Sequence, residues 1–211
     1  MTDAATQGAQ ADKRIERGAA QRRASEEAII GAAYRCFESY GIRKTNMDDI
    51  AQEAAVSRAT LYRHFPNKEA LVDRISVIET GKAHQEIRQL LKERGPFAQT
   101  LVECLFHATR IAQRNPHIRP LVEFSAVAGR AATPSSASFE ASRKTWGRLL
   151  DDAIVRDELA PDITPDELTG YLVLSLAMLL TKVDAMEVSD AALRHFIRRF
   201  VVDPLLPGAR G

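Results

Sequence analysis

Hydrophobic positions in the first third of the chain recur in short helical blocks separated by polar turns. Over residues 25–40, the apolar residues Ala28, Ile29, Ala32, Ala33, Cys36, Phe37 and Tyr40 trace one stripe at a helical period. Gly41 then stands where a helix C-terminus favours glycine. Met47, Ile50, Ala51 and Ala54 repeat the period over a shorter block. Thr45 with Asp48 three residues on predicts the capped start of that block, and Asp48 and Asp49 lie where the helix dipole favours negative charge. Ser57 is a good N-cap for a further short helix, which Leu61 anchors inward. Pro66 stops it and Asn67 caps the next one. The pattern predicts a helix-turn-helix over 45–54 and 57–65. The 25–40 helix props it, because two such short helices bury too little surface to fold alone.

Beyond residue 67 the blocks lengthen. One helix is predicted over 67–94, ended by Gly95-Pro96, and another over 97–114, with Leu101, Leu105, Phe106 and Ile111 among its apolar positions. A short helix over 117–127 precedes a loop holding Gly129 and Thr133-Pro134-Ser135-Ser136, and a longer helix spans 138–157. After the turn Leu159-Ala160-Pro161-Asp162, residues 164–183 begin with Thr-Pro-Asp-Glu and become apolar on nearly every face. Such a helix must be buried all round, in a core or against a partner. The last helix, over 189–202, puts Leu193, Phe196, Ile197, Phe200 and Val201 on one stripe, with Arg194, Arg198 and Arg199 outside it. Either these two helices complete the monomer core, or they form a four-helix bundle with their twofold mates. The pattern is all-α, with no βαβ unit, glycine-rich phosphate loop or internal repeat.

The second short helix carries hydroxyls, cations, a phenol and an imidazole within eight residues, at Ser57, Arg58, Thr60, Tyr62, Arg63 and His64. Such side chains grip phosphates and read base edges when a helix lies in the major groove of DNA. Phe37, Tyr40-Gly41, Thr45, Asp49-Ile50-Ala51, Val56-Ser57, Thr60-Leu61-Tyr62, His64-Phe65 and Asn67-Lys68-Glu69-Ala70-Leu71 agree in order and spacing with one family. Over residues 23–73 the chain closely resembles the N-terminal domain of the tetracycline-repressor (TetR) family of bacterial transcription regulators. The rest of the chain resembles the family only in length and helical character.

The resemblance implies an all-α fold, with an N-terminal three-helix helix-turn-helix DNA-binding domain and a C-terminal helical ligand-binding and dimerisation domain. It implies a homodimer that reads a palindromic double-stranded DNA operator and answers to a small-molecule effector. Position by position, it makes Thr45 (through its hydroxyl or amide), Ser57, Tyr62, His64 and Lys68 phosphate contacts. It makes Arg58, Thr60 and Arg63 base readers, with arginine on guanine the most specific option. A structural alternative stands beside each: Thr45 and Ser57 as caps, Arg58 and Arg63 as solvated charges, Tyr62 half-buried on the first helix, His64 as a helix-end hydrogen bonder. The chain also departs from the family. Ala55 stands in the turn where many members have Gly, at a cost of roughly 1 kcal/mol if the position needs positive φ. Ala59 replaces another frequent Gly on the face nearest DNA, where its methyl meets a thymine methyl or narrows the approach.

Composition refines this picture. The formal net charge of the 211 residues is +1, which excludes a general nucleic-acid coat, and basic charge gathers at Lys13, Arg14, Arg17, Arg22 and Arg23. The first eleven residues lack bulky apolar groups and are expected to be disordered. The organisation is thus a flexible basic arm over 1–22, a helix-turn-helix head over 23–72, and an effector-binding and dimerisation domain over 73–211. The arm either follows the DNA or merely solubilises the chain, and the sequence leaves both readings open. Cys36 and Cys104 lie in apolar stripes, as reduced core cysteines of a cytoplasmic protein do. No signal peptide is expected, and the apolar run 171–180 spans about half of a membrane crossing.

Scattered histidines, no close cysteine pair and no nucleophile elbow predict no metal site, no cofactor and no enzyme. Cys104, His107, Glu123, Trp146 and Met178 are candidate linings of an apolar effector pocket, with core packing or solvent exposure as the alternative for each. Tyr171, Leu174, Met178, Phe196 and Phe200 are candidate dimer contacts. A repressor released by its effector is the expected function. The alternatives are an activator of the same fold, and a helical small-molecule-binding protein or adaptor that has lost DNA reading.

Overall fold

The computed structural model describes residues 2–92, 95–127, 133–182 and 189–208, and all regular structure among them is helical. The predicted loop glycine Gly129 and the predicted helix end at Val183 lie outside the described residues. The chain divides into two compact units, Met1–Leu71 and Val72–Gly211.

The first unit holds α1 (Thr2–Tyr40), α2 (Met47–Glu53) and α3 (Arg58–His64). Its core is Ile29, Ala32, Ala33 and Cys36 of α1 against Met47, Ile50 and Ala51 of α2 and Leu61 of α3. The α1 stripe is narrower than its apolar residues suggest: Ala28 and Tyr40 are exposed. The helix also reaches back to Thr2, so the first eleven residues, expected to be disordered, are helical from Thr2 on, as is the rest of the 1–22 arm expected to be flexible. The segment is rich in Ala, Gln and Arg and free of Pro, and such residues favour a helix by propensity.

The start of α2 also departs from expectation. Asn46, not Thr45, is its N-cap, and the capping box pairs Asn46 with Asp49, not Thr45 with Asp48. The Asp49 amide donates to Asn46 Oδ1 at 2.9 Å, and the Asn46 amide donates to Asp49 Oδ2 at 2.9 Å. At its other end, the Ala55 amide donates to Gln52 O and the Val56 amide to Ala51 O, at 3.1 and 3.0 Å. This closing pair of bonds needs a left-handed residue, and Ala55 supplies it with φ of 53°. Gly41 closes α1 in the same region, with φ of 77°.

A fourth helix, α4 (Lys68–Leu90), starts in the first unit and continues into the second, where α5 (Phe97–Arg114), α6 (Ile118–Val127), α7 (Ala137–Val155), α8 (Pro165–Lys182) and α9 (Asp190–Ile197) follow. A π-helical turn, Arg198–Val202, and a 3₁₀ turn, Asp203–Leu205, end the fold. The α4 helix ends at Leu90, short of the expected residue 94. The second unit is built on one large apolar core, with Phe97, Leu101 and Leu105 of α5, Trp146 and Leu150 of α7, Leu168 and Leu172 of α8, and Leu193 and Ile197 of α9. Asp73, near the root of α4, caps α7: its carboxylate accepts the amides of Ala137 at 2.7 Å and Ser138 at 3.0 Å. These amides are among the orphan donors that every helix start carries.

Candidate nucleic-acid interface

The α3 helix is seven residues long and has two distinct sides. Ser57 caps it, its Oγ accepting the Thr60 amide at 3.1 Å while donating to Thr60 Oγ1 at 2.9 Å. Leu61 is fully buried and fixes the inner side. Arg58, Ala59, Tyr62 and Arg63 are exposed, and Thr60 is partly exposed beside them. Two guanidinium groups, a phenol and a threonine hydroxyl therefore share one helix whose inward position is set by a single leucine. Such a surface offers bidentate donors to base edges and hydroxyls to phosphates.

Arg58 is not idle without DNA. Its Nε pairs with Asp48 of α2 at 2.9 Å. Both side chains are more than half exposed, so the pair stabilises by at most ~1 kcal/mol and gives way readily to a stronger acceptor.

Three of the candidate phosphate contacts are placed otherwise. Thr45 is buried; its hydroxyl donates towards Cys36 O and Gly41 O, at 3.2 and 3.0 Å, and its amide donates to Gly41 O at 3.2 Å. Both donors that were to meet a phosphate are thus taken by the turn between α1 and α2. Lys68 turns inward as well: its Nζ donates to the carbonyls of Ile42, Arg43 and Thr45 at 3.0, 3.2 and 2.8 Å. An ammonium has three protons, so this cradle uses them all. His64 has its Nε2 enclosed and without a hydrogen-bond partner, which leaves only the other ring nitrogen as a donor to an outside group. Thr45 and Lys68 thus clamp the turn between α1 and α2, and Thr45 does not cap α2. Spacing alone could not show this, because the partners of Lys68 lie more than twenty residues upstream.

In the second unit, the candidate pocket residues are not gathered. Cys104 and Trp146 are packed inside the main core, and burial pushes the Cys104 thiol up to about 12, with Glu103 adding to the effect. Glu123 is exposed and pairs with Arg119 at 3.0 Å. His107 lies 3.9 Å from Glu103, and Met178 is 42% exposed. Helices that are apolar on several faces have buried the first two and left the others outside.

The candidate dimer contacts are partly collected. Leu174 and Met178 of α8 are 53% and 42% exposed, and Phe200 in the π-helical turn is 61% exposed. Its ring lies 5.0 Å from that of half-buried Phe196. The Tyr171 hydroxyl donates to Val201 O at 3.1 Å, tying α8 to the turn that carries Phe200, and burial raises the phenol pKa. The stripe 193–201 therefore divides, with Leu193, Ile197 and Val201 turned into the core and Phe200 turned out. Among the described residues no helix is long and apolar enough to cross a membrane.

Comparison with known proteins bears on the same residues. A model of bacterial regulatory proteins of the tetR family matches residues 29–75. The chain is 31% identical over 81 residues to an uncharacterized HTH-type transcriptional regulator, YhgD, of Bacillus subtilis, a match covering 38% of this chain and 42% of that protein. The matched part is thus under half the length of that relative. The chain is 26% identical over 179 residues to the HTH-type transcriptional regulator UidR of Escherichia coli K12, covering 78% of this chain and 84% of UidR. Among solved structures, Salmonella enterica GusR superposes with a TM-score of 0.56 at 26% identity, over 82% of this chain and 93% of GusR.

Proposed function

We propose that the chain, whose residues 29–75 match the tetR family of bacterial regulatory proteins, is a cytoplasmic, homodimeric repressor of that family, released from a palindromic operator by a small-molecule effector. The observation that carries this reading is the outer face of α3, where Arg58, Tyr62 and Arg63 are exposed while Leu61 is buried on the inner side. Arg58 and Arg63 read bases, Thr60 assists them, and Tyr62 and Ser57 bond phosphates. Thr45 and Lys68 shape the turn that presents α3. One such helix contacts only a few base pairs, so useful affinity needs two copies on successive half-sites about 34 Å apart.

The exposed Leu174, Met178 and Phe200 support the dimer, since large apolar side chains are costly to leave in water. Release follows from linkage: an effector that prefers the dimer geometry unsuited to the operator must lower operator affinity by the same coupling free energy, typically about 1–3 kcal/mol.

Selection of bound sequences from a random duplex library, at about 150 mM salt to suppress nonspecific binding, tests the reading. An enriched palindrome is the expected result, with Arg58→Ala and Arg63→Ala altering base preference at defined positions and Tyr62→Ala weakening all sequences alike. A folded, dimeric protein that enriches nothing, with or without cell extract as a source of effector, overturns it.

A further inference from the structure

We propose that the second unit binds a small oxyanion, a carboxylate, phosphate or sulfate carried on a compact hydrophobic body, in a basic cleft between the end of α4, the start of α5 and the C-terminal half of α7. The cleft encloses about 550 Å³. Arg88 and Lys92 reach it from α4 and the turn beyond, Lys144 and Arg148 from α7, and Arg156 from just past α7; Asp152 also lines it.

The local carboxylates do not neutralise this set. Lys144 pairs with Glu140 at 3.5 Å and Arg156 with Glu158 at 3.4 Å. Arg88, by contrast, donates from Nη1 to the hydroxyl of buried Thr145 at 3.2 Å, a neutral partner that leaves its charge uncompensated. The side chains of Lys92 and Arg148 make no hydrogen bond or ion pair among the described residues. The lining holds five cations against one carboxylate, Asp152; a concave surface dominated by one sign of charge focuses its field on a counter-ion, and guanidinium forks match planar oxyanions two bonds at a time. Leu91 and Leu149 also line the cleft, and they suit an apolar body beside the charge. None of the candidate pocket residues chosen from sequence lies in this lining.

The cleft is also well placed to act on α4. That helix meets α7 through Arg88 and Thr145 at the cleft, and through the Asp73 carboxylate and the first amides of α7 nearer its root. An anion that engages Arg88 competes with Thr145 for it. Any resulting change in operator affinity rests on the function proposed above, but the binding itself does not.

Isothermal titration of the full chain without DNA tests the site, with 2-naphthoate, 2-naphthyl phosphate, 2-naphthyl sulfate and neutral 2-naphthol as probes. We expect at least one anion to bind once per chain and at least tenfold tighter than 2-naphthol, with the preferred headgroup identifying the class. Arg88→Gln and Arg148→Gln should each weaken it about fivefold or more, as loss of a charge-assisted bond does, while exposed Arg199→Gln, outside the cleft, should not. Circular dichroism of each variant establishes that it is folded. Equal affinity for 2-naphthol, binding undiminished in both cleft variants, or no saturable binding of any anion overturns the proposal. Anion binding that leaves operator affinity unchanged upholds the site and counts only against the release mechanism.

Discussion

The two units are held together by different means, and the difference decides what a sequence can reveal about each. In the first, α2 and α3 have seven residues apiece and only Met47, Ile50, Ala51 and Leu61 buried between them. Their placement depends on polar bonds: the Asn46–Asp49 box, the Ser57 cap, the buried Thr45 hydroxyl and the Lys68 cradle. In the second, helices of eighteen or nineteen residues converge on one apolar core around Phe97, Leu105, Trp146 and Leu172. Capping bonds act between residues close in sequence. Core contacts join residues far apart, and many sequences satisfy them equally well.

Removing a keystone from each unit should break the comparison open. Trp146→Ala empties the largest fully buried side chain of the second unit and should cost about 3–5 kcal/mol in urea unfolding. A loss under 1 kcal/mol would mean that the core does not rest on this ring. In the first unit, Lys68→Met keeps the stem but leaves three carbonyls without their cation, and about 2–3 kcal/mol of stability should go with it. Operator affinity should then fall for every sequence with no change in the slope of log K against log salt. A slope lowered by about one would show that Lys68 touches phosphate after all.

Much of the head was legible because its signals are short. Ser57, Leu61, Pro66 and Gly41 stand where a cap, an anchor, a stop and a helix end belong, and α3 spans Arg58–His64 within the expected range. The errors arose where two neighbours compete for one role. Thr45 and Asn46 are both good caps; Asn46 takes the place because Thr45 turns its hydroxyl to Cys36 and Gly41, nine and four residues back. The contacts of Lys68 were hidden for a related reason: its ammonium, one residue past a cap, meets the carbonyls of Ile42, Arg43 and Thr45 only once the fold brings them to it. In the second unit, periodicity found α5 to the residue, at Phe97–Arg114, but not the end of α9, which stops at Ile197 where 202 is expected and passes into the π-helical turn. It could not say which polar side chains meet, since the basic cleft draws on three helices whose relative rotation is set by the core.

A pH titration separates the units by another route. Burial, aided by the charge of Arg88, pushes the His84 imidazole down to about 4, so the folded second unit resists protonation there. The folded value lies below the unfolded one of about 6.5, so the stabilisation is complete above pH ~6.5 and is lost as the pH falls towards 4. The loss should be about 2 kcal/mol, allowing for partial exposure, and His84→Gln should flatten the stability curve over that window. A pH dependence that persists unchanged in His84→Gln would show that this imidazole is not the sensitive group.

The smallest effect compares the units at the same structural motif. Two helices end on a non-glycine residue in the left-handed region, Ala55 after α2 with φ of 53° and Asp157 after α7 with φ of 54°. The bonds around them are the same, because Asp157 donates to Ile154 O and Glu158 to Ala153 O, as Ala55 and Val56 do to Gln52 and Ala51. Alanine in this region crowds its Cβ against the following carbonyl, at a cost of about 1–2 kcal/mol, whereas aspartate tolerates it better through local hydrogen bonds. Glycine relieves the crowding but gives back about 0.4–1 kcal/mol through the freedom it adds to the unfolded chain. Ala55→Gly should therefore stabilise the protein by about 0.5 kcal/mol, and Asp157→Gly by nothing or slightly less than nothing. Urea midpoints measured side by side resolve the two. If Ala55→Gly gains nothing, the turn between α2 and α3 carries no strain, and the short helices of the head owe less to local geometry than their bonds suggest.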